Sequence, residues 1–157
     1  MGNQREGTPA AASCGILVTG HGRFADGLVS AVEVIMGSQQ GLYAVDFPET
    51  DTAAQLRENL AGALDGLREY DTVVAFCDLR GGSPFNVMLE LRGGRNGVEL
   101  FYGANLPLLL EFIGKRGGGE PLASLIASAG ADGRSGLDRF EEPATDDAPS
   151  DPDDDWA

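Results

Sequence analysis

Gly15-Ile16-Leu17-Val18-Thr19-Gly20-His21-Gly22-Arg23-Phe24-Ala25 is an apolar run that ends in a glycine-rich turn and then enters a helical pattern. That succession reads as strand, loop, helix. A continuous apolar run, rather than an alternating one, is expected of a strand buried on both faces of a parallel sheet. His21 is the only histidine of the chain, and it falls in the turn between Gly20 and Gly22. In open α/β sheets, ligands bind at the loops that follow the carboxyl ends of the strands. Imidazole is also the side chain that titrates nearest to neutral pH. His21 is therefore the first candidate for chemistry.

The same unit recurs downstream. A helix is expected over Phe24 to Met36, with Phe24, Leu28, Val32 and Ile35 at helical spacing and Gly37 as the stop. Strand 2 covers Leu42 to Phe47. Helix 2 starts at Thr52, with Gln55 placed to complete a capping box, and buries Leu56, Leu60, Leu64 and Leu67. Strand 3 is Thr72 to Cys77, and the loop Asp78-Leu79-Arg80-Gly81-Gly82-Ser83-Pro84 follows it at once. In helix 3, Ser83 reads as the N-cap and Pro84 as the first helical residue, and the helix runs to about Arg92. Strand 4 is Val98 to Tyr102, helix 4 about Leu106 to Lys115, and helix 5 Pro121 to Ala129. Gly136 to Phe140 reads as a short last strand. Strands alternating with helices imply an α/β fold with a mainly parallel sheet, and right-handed crossovers place helices on both faces.

Composition sets the outer limits. The chain has 157 residues, 42% of them hydrophobic, which suits one domain with one sizeable core. No apolar stretch is long enough to cross a bilayer, and Met1 to Ser13 has no apolar signal region, so a cytoplasmic protein is expected. The net charge of −14 is uneven: of 25 acidic residues, eight lie between Glu141 and Ala157, where no basic residue occurs. Residues 1–13 read as a disordered extension, 14–140 as the domain, and 141–157 as an acidic disordered tail. Overall acidity argues against nucleic-acid binding. Cys14 and Cys77 show no C-x-x-C or Cys/His spacing, so they read as buried thiols and not as a zinc site.

If strands 1 and 3 are neighbours, their loops flank one crevice, and His21 comes near Asp78 and Ser83. Asp78 can then fix the imidazole tautomer and leave the other ring nitrogen as a nucleophile. Gly81, Gly82 and Ser83, at the start of a helix, can present N–H groups to an anion. Arg23 and Arg80 could contact a phosphate or a partner, or could simply be solvated. Such a set suits phosphoryl transfer to histidine, where catalysis is mainly positioning and charge stabilisation.

These two loops carry a resemblance. Ile16 to Leu28, I-L-V-T-G-H-G-R-F-A-x-G-L, followed by Asp78 to Asn86, D-L-R-G-G-S-P-F-N, resembles the IIA component of the mannose family of the bacterial sugar phosphotransferase system. Gly103-Ala104-Asn105-Leu106-Pro107 is similar to that family's exit from strand 4. The resemblance implies a four-stranded sheet of order 2-1-3-4 and a cytoplasmic homodimer that exchanges an antiparallel edge strand. It places the phosphorylated nucleophile at His21, its orienting carboxylate at Asp78, and the phosphate-binding loop at Gly81, Gly82 and Ser83. It implies a phosphoryl donor, HPr, and a phosphoryl acceptor, a IIB protein that is expected to be a separate chain here. Membrane partners of the IIC and IID type would be reached only indirectly, and no metal or dissociable cofactor is implied. Some family members have Thr-Trp where this chain has Leu79-Arg80.

Three other readings stand beside this one. Gly20, Gly22 and Ala25 match a dinucleotide fingerprint, with Asp46 near the place of a ribose-binding acid. Ser83, His21 and Asp78 are the residue types of a hydrolase triad, although Gly82-Ser83-Pro84-Phe85 is not a nucleophile elbow. A regulatory phosphoprotein without a transport role would use the same loops.

Overall fold

A computed structural model describes residues 14–95 and 97–144. Its elements run β1 (Cys14–His21), α1 (Phe24–Met36), β2 (Leu42–Phe47), α2 (Ala53–Gly66), β3 (Thr72–Cys77), α3 (Ser83–Arg92), β4 (Val98–Tyr102), α4 (Leu106–Gly117) and α5 (Leu122–Ser135). The strands form one sheet in the order β2-β1-β3-β4, and every pairing is parallel. This is the order implied by the resemblance, and it makes β1 and β3 neighbours.

The central strands are apolar on both faces because both faces are covered. Ile16 and Val18 of β1, with Val74 and Phe76 of β3, point into a core closed by α1, α4 and α5. Their alternates Leu17, Val73, Ala75 and Cys77 point into a second core closed by α2 and α3. Phe76 stacks on Phe101 and meets Phe112 edge-on, which ties β3, β4 and α4 together. Thr19, buried in β1, donates its hydroxyl to the Val45 carbonyl at 2.8 Å, so its polar atom is satisfied and stitches β1 to β2. Both cysteines are free and buried, and burial pushes the Cys77 thiol up to about 12, with the Asp78 charge adding to the effect.

The capping box of α2 forms as expected: the Thr52 hydroxyl accepts from the Gln55 amide at 3.2 Å, and the Gln55 side chain accepts from the Thr52 amide at 2.7 Å. Leu56, Leu60, Leu64 and Leu67 are buried. Four expectations are corrected. β1 continues through Gly20 to His21, where the sequence reads a turn, because β2 pairs with it as far as Phe47. Of the residues expected on the buried face of α1, Val32 is buried and Phe24 and Leu28 pack against the core beside the buried Ala25 and Val29, whereas Ile35, in the last turn, is exposed. α5 runs to Ser135, beyond Ala129. Gly136 to Phe140 is not a strand within this chain: it leaves α5 as irregular backbone, with Leu137 90% and Phe140 81% exposed. The expected disordered extension, 1–13, lies outside the described residues, as does 145–157 of the expected acidic tail.

Candidate functional site

The carboxyl ends of β1 and β3 lie side by side, with Thr19 opposite Cys77. One residue further, the Asp78 amide donates to the Thr19 carbonyl, and the Asp78 carbonyl accepts from Gly103 at the exit of β4. Asp78 is thus fixed between two strand ends before its side chain makes any contact. Its carboxylate then takes three hydrogen bonds. Oδ2 accepts from the His21 amide at 2.9 Å and lies 2.7 Å from His21 Nδ1, and Oδ1 accepts from the Leu79 amide at 2.8 Å. Burial alone would raise the Asp78 carboxyl pKa, but the His21 and Leu79 hydrogen bonds outweigh it and hold the group below its ordinary range.

An ionised carboxylate only accepts, so Nδ1 is the donor in this pair and holds the ring proton of the neutral imidazole. Nε2 is then the nitrogen with a free lone pair. The His21 side chain is 47% exposed, whereas that of Asp78 is 11% exposed. One edge of the ring is anchored and the other is open. Contrary to the loop reading, His21 is the last residue of β1, and its backbone is held from both sides. Gly22 exchanges two hydrogen bonds with Phe47, at 2.7 and 3.2 Å, and the Phe47 ring lies 6.0 Å from the imidazole, centroid to centroid.

Nε2 faces the amino end of α3. A Cβ placed at Gly82 would lie 2.6 Å from His21 Cε1 and 3.3 Å from Nε2, so only glycine lets the loop come this close. Gly81 has φ +82°, a second glycine requirement in the same turn. Asn86 donates its side-chain amide to the Gly81 carbonyl at 3.1 Å and pins the turn to the helix. The expected role of Ser83 is corrected: Gly82 is the N-cap, Ser83 is the first helical residue, and Pro84 follows it. No side chain caps α3, and the Ser83 hydroxyl has no partner among the described residues. The Ser83 and Phe85 amides precede the first intrahelical bond, so they point outward as free donors at the positive end of the helix dipole. A nucleophilic nitrogen therefore sits beside an uncapped helix end.

The amino end of α1 is closed instead. Arg23 is its N-cap and makes no side-chain cap, but Asp46 at the end of β2 accepts from the Asp26 amide at 2.9 Å. Asp46, which the dinucleotide fingerprint puts near the place of a ribose-binding acid, serves as a helix cap supplied by the neighbouring strand. Its carboxylate stands where a dinucleotide's pyrophosphate would need free amides, so Gly20, Gly22 and Ala25 do not frame a phosphate site. The hydrolase arrangement is not formed either, because no hydrogen bond joins Ser83 to His21. The positioning roles of Asp46 and Phe47 were not legible. Gly20 pairs with Asp46, and His21 with Phe47, only once β2 is known to lie against β1.

Of the two arginines in these loops, Arg23 pairs with Asp26 at 3.3 Å, and Arg80 lies over the Tyr102 ring at 5.8 Å. Among the described residues, no group of three His, Cys, Asp or Glu side chains is arranged to hold a metal ion.

Comparison with known proteins places this geometry in a family. Residues 15–129 match the EIIA-man family model, described as the PTS system fructose IIA component. The PTS system mannose-specific EIIAB component of Escherichia coli K12 is 30% identical over 122 residues, which is 78% of this chain and 38% of that protein. The chain thus spans well under half of that relative. The PTS system fructose-specific EIIA component of Bacillus subtilis is 30% identical over 101 residues, 64% of this chain and 69% of that one. Among solved structures, the phosphotransferase system component EIIA from Streptococcus agalactiae has a TM-score of 0.73 at 26% identity, covering 81% of this chain and 97% of that one. The mannose/sorbose-specific IIA subunit from Enterococcus faecalis shares the fold, with a TM-score of 0.74 at 22% identity over 83% of this chain and 97% of that one. With both glycine-rich loops inside the matched span, the chain belongs to the EIIA-man family of the phosphotransferase system.

Proposed function

We propose that this protein is a phosphoryl carrier, a phosphotransferase component in which His21 accepts a phosphoryl group from the phosphohistidine of HPr and passes it to a IIB protein during sugar uptake. The observation that carries the reading is the division of labour on one ring: Nδ1 is committed to Asp78, and Nε2 lies against the uncapped start of α3. The Nε2 lone pair attacks phosphorus as the donor's N–P bond breaks, and that electron pair returns to the donor nitrogen. The proton on Nδ1 stays in place, and the positive charge that develops on the ring is stabilised by Asp78. Gly81, Gly82 and Ser83 bind the phosphoryl oxygens through backbone amides and the free Ser83 hydroxyl.

Transfer works in both directions because the bond made and the bond broken are of the same kind. No metal or cofactor enters the scheme. Family membership and the EIIAB name of the E. coli relative support HPr and IIB as partners. A cytoplasmic location fits that traffic, and no helix among the described residues is long and apolar enough to cross a membrane. A homodimer that exchanges an edge strand has support in the outer edge of β4. That edge borders a groove of about 460 Å³ between β4 and α5, lined by Leu100, Tyr102, Ala129 and Arg134 among others. Leu137 and Phe140, exposed in the single chain, lie in the segment that would pair there with a second copy.

Incubation with Enzyme I, HPr and phosphoenolpyruvate, read by intact mass, tests the proposal. The wild type gains one acid-labile phosphoryl group and His21→Ala gains none. An absent gain, or an equal gain in the variant, overturns it.

A further inference from the structure

We propose that Arg80 leaves the Tyr102 ring to hold the phosphoryl group once it is on His21 Nε2. The inference rests on the phosphoryl-carrier reading and adds a residue which that reading does not use. Arg80 lies two residues after Asp78 and two before Gly82, and both of these touch the imidazole. Two residues of backbone span at most about 7 Å, a distance the long arginine stem can cover.

Its resting place is linked to the first turn of α3 by two ring contacts. The Arg80 guanidinium lies 5.8 Å from the centre of the Tyr102 ring. Tyr102 in turn meets Phe85 edge-on, at 5.9 Å and 84°. Phe85 is in the first turn of α3, two residues beyond Ser83. The chain of contacts Arg80, Tyr102, Phe85 therefore ends at the helix terminus that faces Nε2. A cation over an exposed ring is weakly held, and Arg80 is exposed and has no carboxylate partner among the described residues. Arg23, the other loop arginine, is tied to Asp26.

Charge balance gives Arg80 its task. A phosphoryl group brings roughly two negative charges to a site where the Asp78 carboxylate already touches the ring. The α3 amides that face the group are neutral, and Pro84 contributes none. A guanidinium can bridge two phosphoryl oxygens with paired charge-assisted hydrogen bonds. Arg80 stays protonated throughout, and the only bonds exchanged are the two N–P bonds.

The test uses the full chain with phosphorylated HPr as donor and compares wild type, Arg80→Gln, Arg80→Lys and Tyr102→Leu. After the donor is removed, the hydrolysis half-life of the phosphoprotein and the midpoint of its phosphorus-NMR titration report on the phosphoryl group without any docking contribution. Arg80→Gln is expected to shorten the half-life, raise the titration midpoint and slow transfer roughly tenfold. Arg80→Lys recovers part of each. Tyr102→Leu removes the resting place and leaves both phosphoprotein readings at wild-type values. Wild-type readings in Arg80→Gln, or a Tyr102→Leu variant as impaired as Arg80→Gln, overturn the inference and leave the carrier reading intact. A wild type that takes no phosphoryl group overturns both.

Discussion

His21 is restrained by two unlike neighbours: a carboxylate that binds one edge of its ring, and a glycine that leaves room at the other. Gly82 has φ −74°, which any residue can adopt, so a Cβ there is opposed by contact and not by backbone strain, most closely with the imidazole and then with the flexible end of Leu79 at 3.3 Å. Gly82→Ala is therefore expected to disturb chemistry more than folding. Phosphorylation slows by between roughly tenfold and a hundredfold, while unfolding free energy in urea changes by less than about 1 kcal/mol. A normal rate would show that the ring does not need this approach. Asp78 makes a different prediction. Its folded pKa is depressed, so its contribution to stability is complete above the unfolded value of about 3.9 and is lost as pH falls through the lower folded value. Urea midpoints measured from pH 5 down to pH 2 should decline more steeply in the wild type than in Asp78→Asn. Parallel curves would contradict the depression. At this scale the sequence singles out His21 and Asp78 as candidates by residue type and loop position, and their contact follows once β1 and β3 are neighbours. It cannot tell which ring nitrogen is free, because that follows from a side-chain orientation set across two strands.

Helices α1 and α3 begin in opposite ways, and the contrast leaves one helix end open beside the histidine and the other closed. α3 starts at an uncapped glycine turn. α1 is closed by Asp46 from β2, and the adjoining Gly22 to Phe47 hydrogen bonds fasten the residue after His21. Asp46→Ala should lower stability by about 1 kcal/mol, as for loss of an N-cap, and should slow phosphorylation through the loosened loop. Asp46→Asn retains an accepting oxygen and should restore most of both. An Asn variant as damaged as the Ala variant would point to the charge and not to the cap. Ser83 shows where local pattern misleads. Ser followed by Pro fits both an N-cap with Pro at the first position and a first-turn pair behind a glycine cap, and the close fit of Gly82 against His21 selects the second. α2 was legible because its four leucines define one face and Thr52 and Gln55 mark its start. α1 was legible in its bounds and in Phe24, Leu28 and Val32, and only Ile35, in its last turn, departs from the expected face.

The whole molecule is a parallel sheet with a core on each face, and its strand order is what brings the two loops together. Alternation of strands and helices reveals the layers, but local patterns do not state that β1 lies next to β3. That order came from a family resemblance carried by the loops themselves, and the β1–β3 register bears it out. Gly136 to Phe140 reads as a strand yet finds no partner within the single chain, and Leu137 and Phe140 stand exposed, as the proposed exchange of an edge strand requires. Light scattering during gel filtration should give a dimer, and Leu137→Asp with Phe140→Asp should shift it toward monomer. A monomeric wild type would remove the exchanged strand from the account. The central claim is that His21 carries phosphate on Nε2 while Nδ1 stays with Asp78. Nitrogen NMR of the histidine-labelled protein, after phosphorylation by Enzyme I, HPr and phosphoenolpyruvate, measures this directly. The expected result is phosphorus coupling at Nε2 with the proton retained on Nδ1; phosphorus on Nδ1, or none on His21, would contradict it.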